Sequence, residues 1–167
     1  IPVGAQFLDG HVHVLRPRRP IELVVLGDLH GCYACLKAAL LQSDFVNRVW
    51  AHQWDPHHYP DVKLVLLGDY IDRGRFSFDG VLRAVMQLFV AMPDHVFMLR
   101  GNHEYFLSRG GQVFSGVHPA EGLFSIMPHA PRELLEAYKL LFEEMPTSLL
   151  FDRTLFVHGG IPRDDSL

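Results

Sequence analysis

The sequence predicts an α/β fold built around a largely parallel sheet. Several short apolar runs, rich in β-branched residues and bounded by glycine or polar residues, read as buried strands. Amphipathic stretches of helical length lie between them, and this alternation is typical of parallel sheets. In such sheets functional groups gather beyond the carboxyl ends of the strands. We therefore expect a functional site at those ends.

The chain has 167 residues, which suits one domain with a substantial core. A net charge of −4 argues against a nucleic-acid-binding surface, which usually needs a basic face. No apolar run reaches transmembrane length and no signal peptide is visible, so we expect a cytoplasmic protein without a membrane partner. Residues 1–20 are expected to form an N-terminal extension ending in a Pro/Arg connector, "RPRRP", and residues 21–167 a single domain.

The extension contains an extended stretch in which His11 and His13 alternate with valines. The two histidines then share one face of a strand, either as a metal pair or as the exposed polar face of a hairpin, and the second interpretation is favoured. Residues 21–27, "IELVVLG", are predicted to be a strand that is buried on both faces. A helix over 32–42 and a loop over 43–62 follow.

The pattern then recurs along the chain. Residues 62–68 predict a second strand, and apolar residues at i, i+3, i+4 spacing predict a helix over 78–92. Residues 95–100 predict a third strand, followed by a short helix and a glycine-rich loop. Pro131 and Pro146 bracket a predicted helix, and "SLLFDRTLFV" predicts two strands around a tight turn.

Cys32 and Cys35 form a C-x-x-C at the start of the first predicted helix. Two cysteines cannot build a disulfide framework. Redox chemistry is one interpretation, because a helix start lowers the pKa of a thiol. The favoured interpretation is that both cysteines are partly buried and reduced.

Four of the predicted strands end in polar residues. These residues are Asp28 and His30; Asp69, Asp72 and Arg73; Asn102 and His103; and His158. Polar residues at four strand ends are hard to explain as part of the core, because burying an unpaired carboxylate costs free energy. Mixed carboxylate, imidazole and amide ligands suit Mn²⁺, Fe or Zn²⁺ better than Ca²⁺. The pattern therefore predicts a metal site, with a guanidinium and a carboxylate-held histidine available for a phosphoryl group.

Three of these segments, "GDLHG", "GDYIDRG" and "GNHE", resemble in order the signature blocks of the phosphoprotein phosphatase type of metallophosphoesterase. "FVHGGIP" resembles the block that follows them. The resemblance covers about residues 21–164 and implies the calcineurin-like fold, a β-sandwich flanked by helices. It also implies a phosphoric-ester hydrolase that uses water activated by two divalent metal ions, with Mn the first choice and Fe or Zn the others.

The resemblance also implies a role for each position. Asp28 and His30 bind the first metal, and Asp69 bridges both. Asn102 and His158 bind the second metal, and Asn102 also faces the substrate. His103 protonates the leaving group and Asp72 orients it. Arg73 holds the phosphate.

The sequence departs from the family after the HGG block. The family pattern continues with another histidine ligand, a second phosphate-binding arginine and the strands of a second sheet, whereas this chain stops at Leu167. We therefore expect the N-terminal portion of the fold, a whole first metal site and a second site that lacks a ligand. An uncovered sheet face is expected to promote self-association.

The favoured substrate is a phosphorylated protein, hydrolysed as a phosphomonoester by a Ser/Thr phosphatase. The resemblance implies hydrolysis of diadenosine tetraphosphate as the alternative, because the two activities share the same metal chemistry. Trp50, Trp54 and Tyr59 in the predicted 43–62 loop either stack a nucleobase or pack the loop. A third hypothesis, of another class, is a catalytically silent metal-binding or interaction fragment.

Overall fold

A computed structural model describes residues 5–8, 11–17 and 19–160. Nine strands and five α-helices follow one another in the described part of the chain. In order they are β1 (Ala5–Leu8), β2 (Val12–Leu15), β3 (Ile21–Leu26), α1 (Tyr33–Gln42), α2 (Phe45–Trp54), β4 (Asp61–Leu66), α3 (Arg83–Ala91), β5 (Val96–Met98), β6 (Phe106–Arg109), β7 (Gln112–Ser115), α4 (Glu121–Ile126), α5 (Arg132–Glu144), β8 (Ser148–Phe151) and β9 (Thr154–Val157). A π-helical segment, Ser77–Leu82, leads directly into α3.

The first sheet is parallel and has the strand order β3-β4-β5. Val24 lies opposite Leu64, and Leu66 lies opposite Met98. The central strand β4 is buried along nearly its whole length, because helices cover one of its faces and a second sheet covers the other. The three strands predicted from apolar runs are confirmed, and their carboxyl ends lie side by side. The predicted burial of residues 21–27 on both faces is wrong, because β3 lies at the edge of this sheet and its Glu22 and Val25 are exposed.

The second sheet is mixed and has the strand order β1-β2-β8-β9. β2 pairs in parallel with β8, while β1 and β9 pair antiparallel at the two edges. A small apolar cluster fills the space between the two sheets, and its buried members are Leu15, Val65, Phe97, Leu99 and Leu149. This arrangement confirms an α/β fold of sandwiched sheets and helices.

The stretch before the Pro/Arg connector is therefore part of the second sheet. His13 on β2 is buried with its ring edge-on to Phe97, at 5.9 Å between centroids, whereas His11 is exposed. The favoured interpretation of an exposed polar face is wrong for His13, because the second sheet turns that side chain toward the first. Residues 1–4, 9, 10 and 18 of the predicted extension lie outside the described residues, and the division at residue 20 stays a prediction.

Two local predictions are wrong. The predicted loop over 43–62 contains the helix α2, because Phe45 and Val49 lie one turn apart and both are fully buried. The predicted short helix after the third strand is replaced by the hairpin β6–β7, which turns at Gly110 and Gly111 with φ of +59° and +76°. Such positive φ values at both turn positions match the twist of a tight hairpin.

The main core lies between the first sheet and the helices. Leu36 of α1, Val85 of α3 and Phe142 of α5 contribute fully or almost fully buried side chains to it. The predicted helices over 32–42, 78–92 and 131–145 are confirmed within a few residues. None of the helices in the described ranges combines the length and apolar character that crossing a membrane requires.

Candidate metal centre

The polar residues predicted as a site converge at one edge of the sandwich. β3, β4 and β5 lead into the segments that carry Asp28, Asp69 and Asn102, and β9 leads into His158. Two overlapping groups bring potential ligand atoms within 4.8 Å of one another: His30, Asp69 and His103 form one, and Asp28, Asp69 and His158 form the other. Asp69 belongs to both groups and lies between them.

The backbone around this edge is unusual. His30, Asp69, Asp72 and Arg73 all have φ between +41° and +66°, a left-handed region that non-glycine residues rarely adopt. Such conformations cost free energy and cluster at functional sites. Leu29 and His30 both donate backbone N–H groups to the carbonyl of Asp69, at 3.0 and 2.8 Å, so the two strained turns support each other.

Gly74 is required at this junction for steric reasons. A Cβ atom built at Gly74 would overlap the carbonyl oxygen of His30 and contact Gly31. The glycines therefore let the turn that carries Asp72 and Arg73 approach the turn that carries His30.

His30 presents a lone pair to two carboxylates. Its Nδ1 lies 2.9 Å from the carbonyl oxygen of Ile71, so Nδ1 carries the hydrogen and Nε2 is the acceptor. Nε2 is buried without a hydrogen-bond partner and lies 3.3 Å from Asp69 Oδ2 and 3.6 Å from Asp28 Oδ2. His30 Nε2 and the two carboxylate oxygens are all hydrogen-bond acceptors, so they repel one another. A cation between them would relieve this repulsion.

His158 forms the other half of the cluster. Its Nε2 lies 2.8 Å from Asn102 Oδ1 and 3.5 Å from Asp69 Oδ1, and its Nδ1 lies 3.8 Å from Asp28 Oδ1. The amide and carboxylate oxygens and the imidazole are all ligand types for a borderline divalent metal ion. Asp69 is only 2% exposed, so its charge has little water to stabilise it. The residues present therefore fit two divalent cations.

His103 lies beside the candidate ligands His30 and Asp69, and both of its ring nitrogens contact protein groups. Nδ1 lies 2.6 Å from Asp72 Oδ2, and Nε2 lies 3.4 Å from Arg73 Nη2. Arginine can only donate, so Nε2 is the acceptor and Nδ1–H donates to Asp72. Because both nitrogens have protein partners, we leave His103 out of the ligand set. Asp72 Oδ1 in turn accepts a hydrogen bond from the backbone N–H of Gly122 at 2.6 Å.

Glu104 is the main site residue that the sequence reasoning missed. Its fully buried carboxylate accepts hydrogen bonds from the backbone N–H groups of Asp69, Tyr70 and Gly101, at 2.7, 2.9 and 3.0 Å. Burial raises the pKa of Glu104 to about 7; the backbone hydrogen bond from Asp69 opposes this rise and the charge of Asp69 adds to it. Glu104 thus ties the turn after β4 to the turn after β5. It was visible in the "GNHE" segment, whereas nothing in the sequence pointed to Gly122.

The aromatic residues of 43–62 do not reach this edge as a group. Trp54 ends α2 and Tyr59 lies just before β4, so both belong at the start of that strand, about 20 Å from its carboxyl end. Trp50 lines a groove of about 620 Å³ between α1, α2 and α3. The structure gives no support to nucleobase stacking by these three residues.

The two cysteines are joined. A disulfide links Cys32 to Cys35 at the start of α1. The favoured prediction that both thiols stay reduced is therefore wrong.

Comparison with known proteins places these observations in a family. Residues 21–167 match the model of the calcineurin-like phosphoesterase family. Serine/threonine-protein phosphatase PP1-delta of Caenorhabditis elegans is 35% identical over 143 residues, which cover 83% of this chain and 39% of that protein. Serine/threonine-protein phosphatase T of Trypanosoma brucei brucei is 26% identical over 149 residues, covering 87% of this chain and 27% of that protein. The chain thus spans about a quarter to two fifths of the length of these curated relatives.

Solved structures share the fold. A protein serine/threonine phosphatase from Saccharomyces cerevisiae, similar to human phosphatase PP5, superposes with a TM-score of 0.63 at 22% identity, over 95% of this chain and 44% of that one. A protein described as a diadenosine tetraphosphatase gives a TM-score of 0.51 at 20% identity, over 93% of this chain and 59% of that one. At these identities the likeness concerns the fold alone.

Proposed function

The chain belongs to the calcineurin-like phosphoesterase family, and we propose that it hydrolyses phosphomonoesters, with phosphoserine or phosphothreonine in proteins as the substrate class. The family match and the phosphatases among its relatives support this proposal. The cluster of carboxylates and imidazoles at the sheet edge carries it, because that cluster brings potential metal-ligand atoms within 4.8 Å of one another beside an arginine and an oriented histidine.

Two divalent ions are proposed, with Mn²⁺ first and Fe or Zn²⁺ as alternatives. Asp28 and His30 would hold the first ion and Asn102 and His158 the second, with Asp69 between them. Bound there, such a pair supplies a water of lowered pKa and neutralises phosphoryl charge.

The remaining residues act on the substrate. Arg73 is exposed, so its guanidinium can engage phosphate oxygens in two parallel hydrogen bonds. Asn102 is exposed as well and is proposed to face the substrate. The Nδ1–H of His103 donates a hydrogen bond to Asp72, so Nε2 is the nitrogen that can gain a second proton. His103 would deliver that proton from Nε2 to the leaving oxygen. Burial of His103 and Asp72 holds that geometry.

The alternative substrate, diadenosine tetraphosphate, keeps the same phosphoryl chemistry but needs a nucleobase site. The proposed stacking residues Trp54 and Tyr59 lie near the opposite end of β4, and this placement favours the phosphoprotein. The silent-fragment alternative is disfavoured by the His103–Asp72 pair, since a purely metal-binding module has no need of an oriented proton donor.

The test is hydrolysis of p-nitrophenyl phosphate by this chain with added Mn²⁺, compared with Asp69→Asn. We expect turnover in the parent chain and a loss of at least about 100-fold in the variant, because the shared carboxylate contacts both halves of the site. Asp79→Asn is the matched control, since it removes an exposed carboxylate outside the cluster.

Mn²⁺ titration by calorimetry accompanies the assay. Turnover that survives Asp69→Asn, or an absence of turnover in a chain that binds two Mn²⁺, contradicts the proposal; the second outcome favours the silent fragment. With turnover established, a phosphopeptide and diadenosine tetraphosphate are compared by kcat/KM.

We propose a cytoplasmic location as well, because two cysteines cannot build the framework that small secreted domains use. The Cys32–Cys35 disulfide is the observation against it, since disulfides are rare in reducing compartments. Cell fractionation tests this location. Recovery of the protein in an oxidising compartment would contradict the proposal.

Self-association is proposed through the uncovered part of the sheet face, at β3 and β9. Val25 on β3 is 41% exposed, and Phe156 on β9 is half-buried. Sedimentation velocity at low and high concentration should show a larger species that Val25→Lys weakens. A monomer at both concentrations rules it out.

A further inference from the structure

The Cys32–Cys35 disulfide lies next to the metal-binding turn but takes no part in the phosphatase proposal. Cys32 immediately precedes α1 at its N-cap position, and Cys35 is the third residue of that helix. The segment Asp28–His30 comes just before it in the chain. We propose that Cys32–Cys35 is a reversible thiol–disulfide exchange site whose oxidised state tightens the neighbouring metal centre.

The disulfide closes a helix start that has no other side-chain closure. α1 has no side-chain hydrogen bond at its N-cap and no acidic residue in its first turn. In many helices the side chains at the N-cap and at the third helical position close the first turn by reciprocal hydrogen bonds. Here a covalent bond joins the same two positions. Reduction therefore leaves the first turn of α1 held by backbone hydrogen bonds alone.

That first turn is coupled to the turn that carries His30. The N–H of Cys32 donates to the carbonyl of Leu29 at 2.7 Å, and the N–H of Tyr33 donates to the carbonyl of Gly31 at 3.0 Å. His30 lies between these two acceptors in the chain. Loosening the start of α1 weakens both bonds, and with them the position of the His30 ring.

The exchange chemistry uses thiols of low molecular weight or of other proteins. Cys35 is exposed and Cys32 is half-buried, so an incoming thiolate reaches the Cys35 sulfur more readily. Its attack breaks the Cys32–Cys35 bond, forms a mixed disulfide on Cys35 and releases Cys32 as a thiol after it gains a proton. A second thiolate attacks the outer sulfur and releases Cys35. Two external thiols are oxidised to one disulfide, and the protein disulfide gains two electrons and two protons.

The test equilibrates the chain in a series of glutathione buffers, from almost fully reduced to almost fully oxidised glutathione, starting from the oxidised and from the reduced protein. Samples are quenched with acid and alkylated, and the free thiols are counted by intact mass. We expect one reversible two-thiol transition, with the same midpoint from both directions. Calorimetry at the two extremes should show Mn²⁺ binding that is about three- to tenfold weaker after reduction, the size of effect expected for a lost helix cap.

The coupling of the disulfide to metal affinity rests on the metal site of the proposed function. Two variants therefore test the exchange site and the metal site separately. Cys32→Ser/Cys35→Ser should bind Mn²⁺ like the reduced parent at every potential. Asp69→Asn should lose Mn²⁺ binding and keep the thiol transition, so failure of the metal site and failure of the exchange site give different results. The redox titration of the unmutated chain needs no variant. The inference therefore stays testable even if the double variant fails to fold.

A pair that stays wholly oxidised or wholly reduced across the range overturns the exchange site. A transition without a change in Mn²⁺ affinity overturns the coupling to the metal centre.

Discussion

At the scale of single residues, we propose that the contact between His103 and Asp72 separates proton transfer from metal binding. Asp72 accepts from the ring of His103 with one oxygen and from the N–H of Gly122 with the other, so its carboxylate is fixed at both ends. Neither oxygen is directed at the metal ligands. A change at Asp72 should therefore alter the proton donor and leave the cations in place.

Replacement of Asp72 by Asn tests this separation. The amide oxygen of Asn can still accept a hydrogen bond from Nδ1–H, but it carries no negative charge to stabilise a protonated ring, so His103 becomes a poorer proton donor. We expect kcat for a phosphoserine peptide to fall by about 100-fold or more, because its alkoxide leaves only with a proton. The loss for p-nitrophenyl phosphate should be smaller, since nitrophenolate leaves without one.

Mn²⁺ calorimetry provides the control for Asp72→Asn. Unchanged affinity is expected, while equal losses for the two substrates, or a loss of Mn²⁺ binding, would contradict a proton-donor role for the pair.

At the scale of helices and strands, the local sequence pattern explains which elements could be predicted and which could not. The strand β4 was predictable because burial on both faces demands a continuous apolar run. The strand β3 shows a similar apolar run, although it lies at the edge of the sheet with Glu22 and Val25 exposed. The helix α2 was not, because its sequence, "FVNRVWAHQW", mixes polar residues with apolar ones and precedes a turn rich in proline and histidine. The hairpin β6–β7 has strands of only four residues, too short to show alternation, although Gly110-Gly111 was a usable turn signal.

The site follows the same logic. Asp28, Asp69 and Asn102 were predictable because each follows a strand at the same edge of one sheet. Gly122 acts through its backbone N–H from a helix some fifty residues away, and no residue type marks such a role.

The contribution of α2 to the core can be measured with two of its aromatic residues. Phe45 is fully buried and Trp54 is 89% exposed. We expect Phe45→Ala to lower the free energy of unfolding by about 3–5 kcal/mol. Trp54→Ala should change it by no more than about 0.5 kcal/mol. Urea unfolding of both variants provides the comparison, and similar losses would mean that the segment does not pack as this helix.

At the scale of the whole molecule, a buried histidine, His13, lies at the interface between the two sheets. His13 lies on the second sheet with its ring against Phe97 of the first, beside an apolar cavity of about 350 Å³ that Glu144 also lines. Burial lowers the pKa of His13 to about 4 from its ordinary 6.5. The interface between the sheets is therefore formed with a neutral ring.

This lowered pKa predicts a pH dependence of stability. Between about pH 6.5 and pH 4 the unfolded chain binds a proton at His13 that the folded chain does not, so the contribution of this residue to stability is lost as the pH falls. His13→Leu removes the titrating group and should lose less stability between pH 7 and pH 5 than the parent. Urea unfolding of both proteins at the two pH values cancels contributions from Glu144 and other groups. An equal loss in parent and variant would show that His13 does not titrate in this way.

The parallel pairing of β2 with β8 also has a consequence for how the chain reaches its fold. Thr147, just before β8, donates its N–H to the carbonyl of His11, so the two partners are separated by more than 130 residues of chain. A ribosome that adds about 5–20 residues per second makes β8 on the order of ten seconds after β2. During that interval the open edge of β2 lacks its partner strand, which favours early contact with a chaperone. Pairings of such high contact order also form slowly, so the second sheet should be the last part of this protein to assemble.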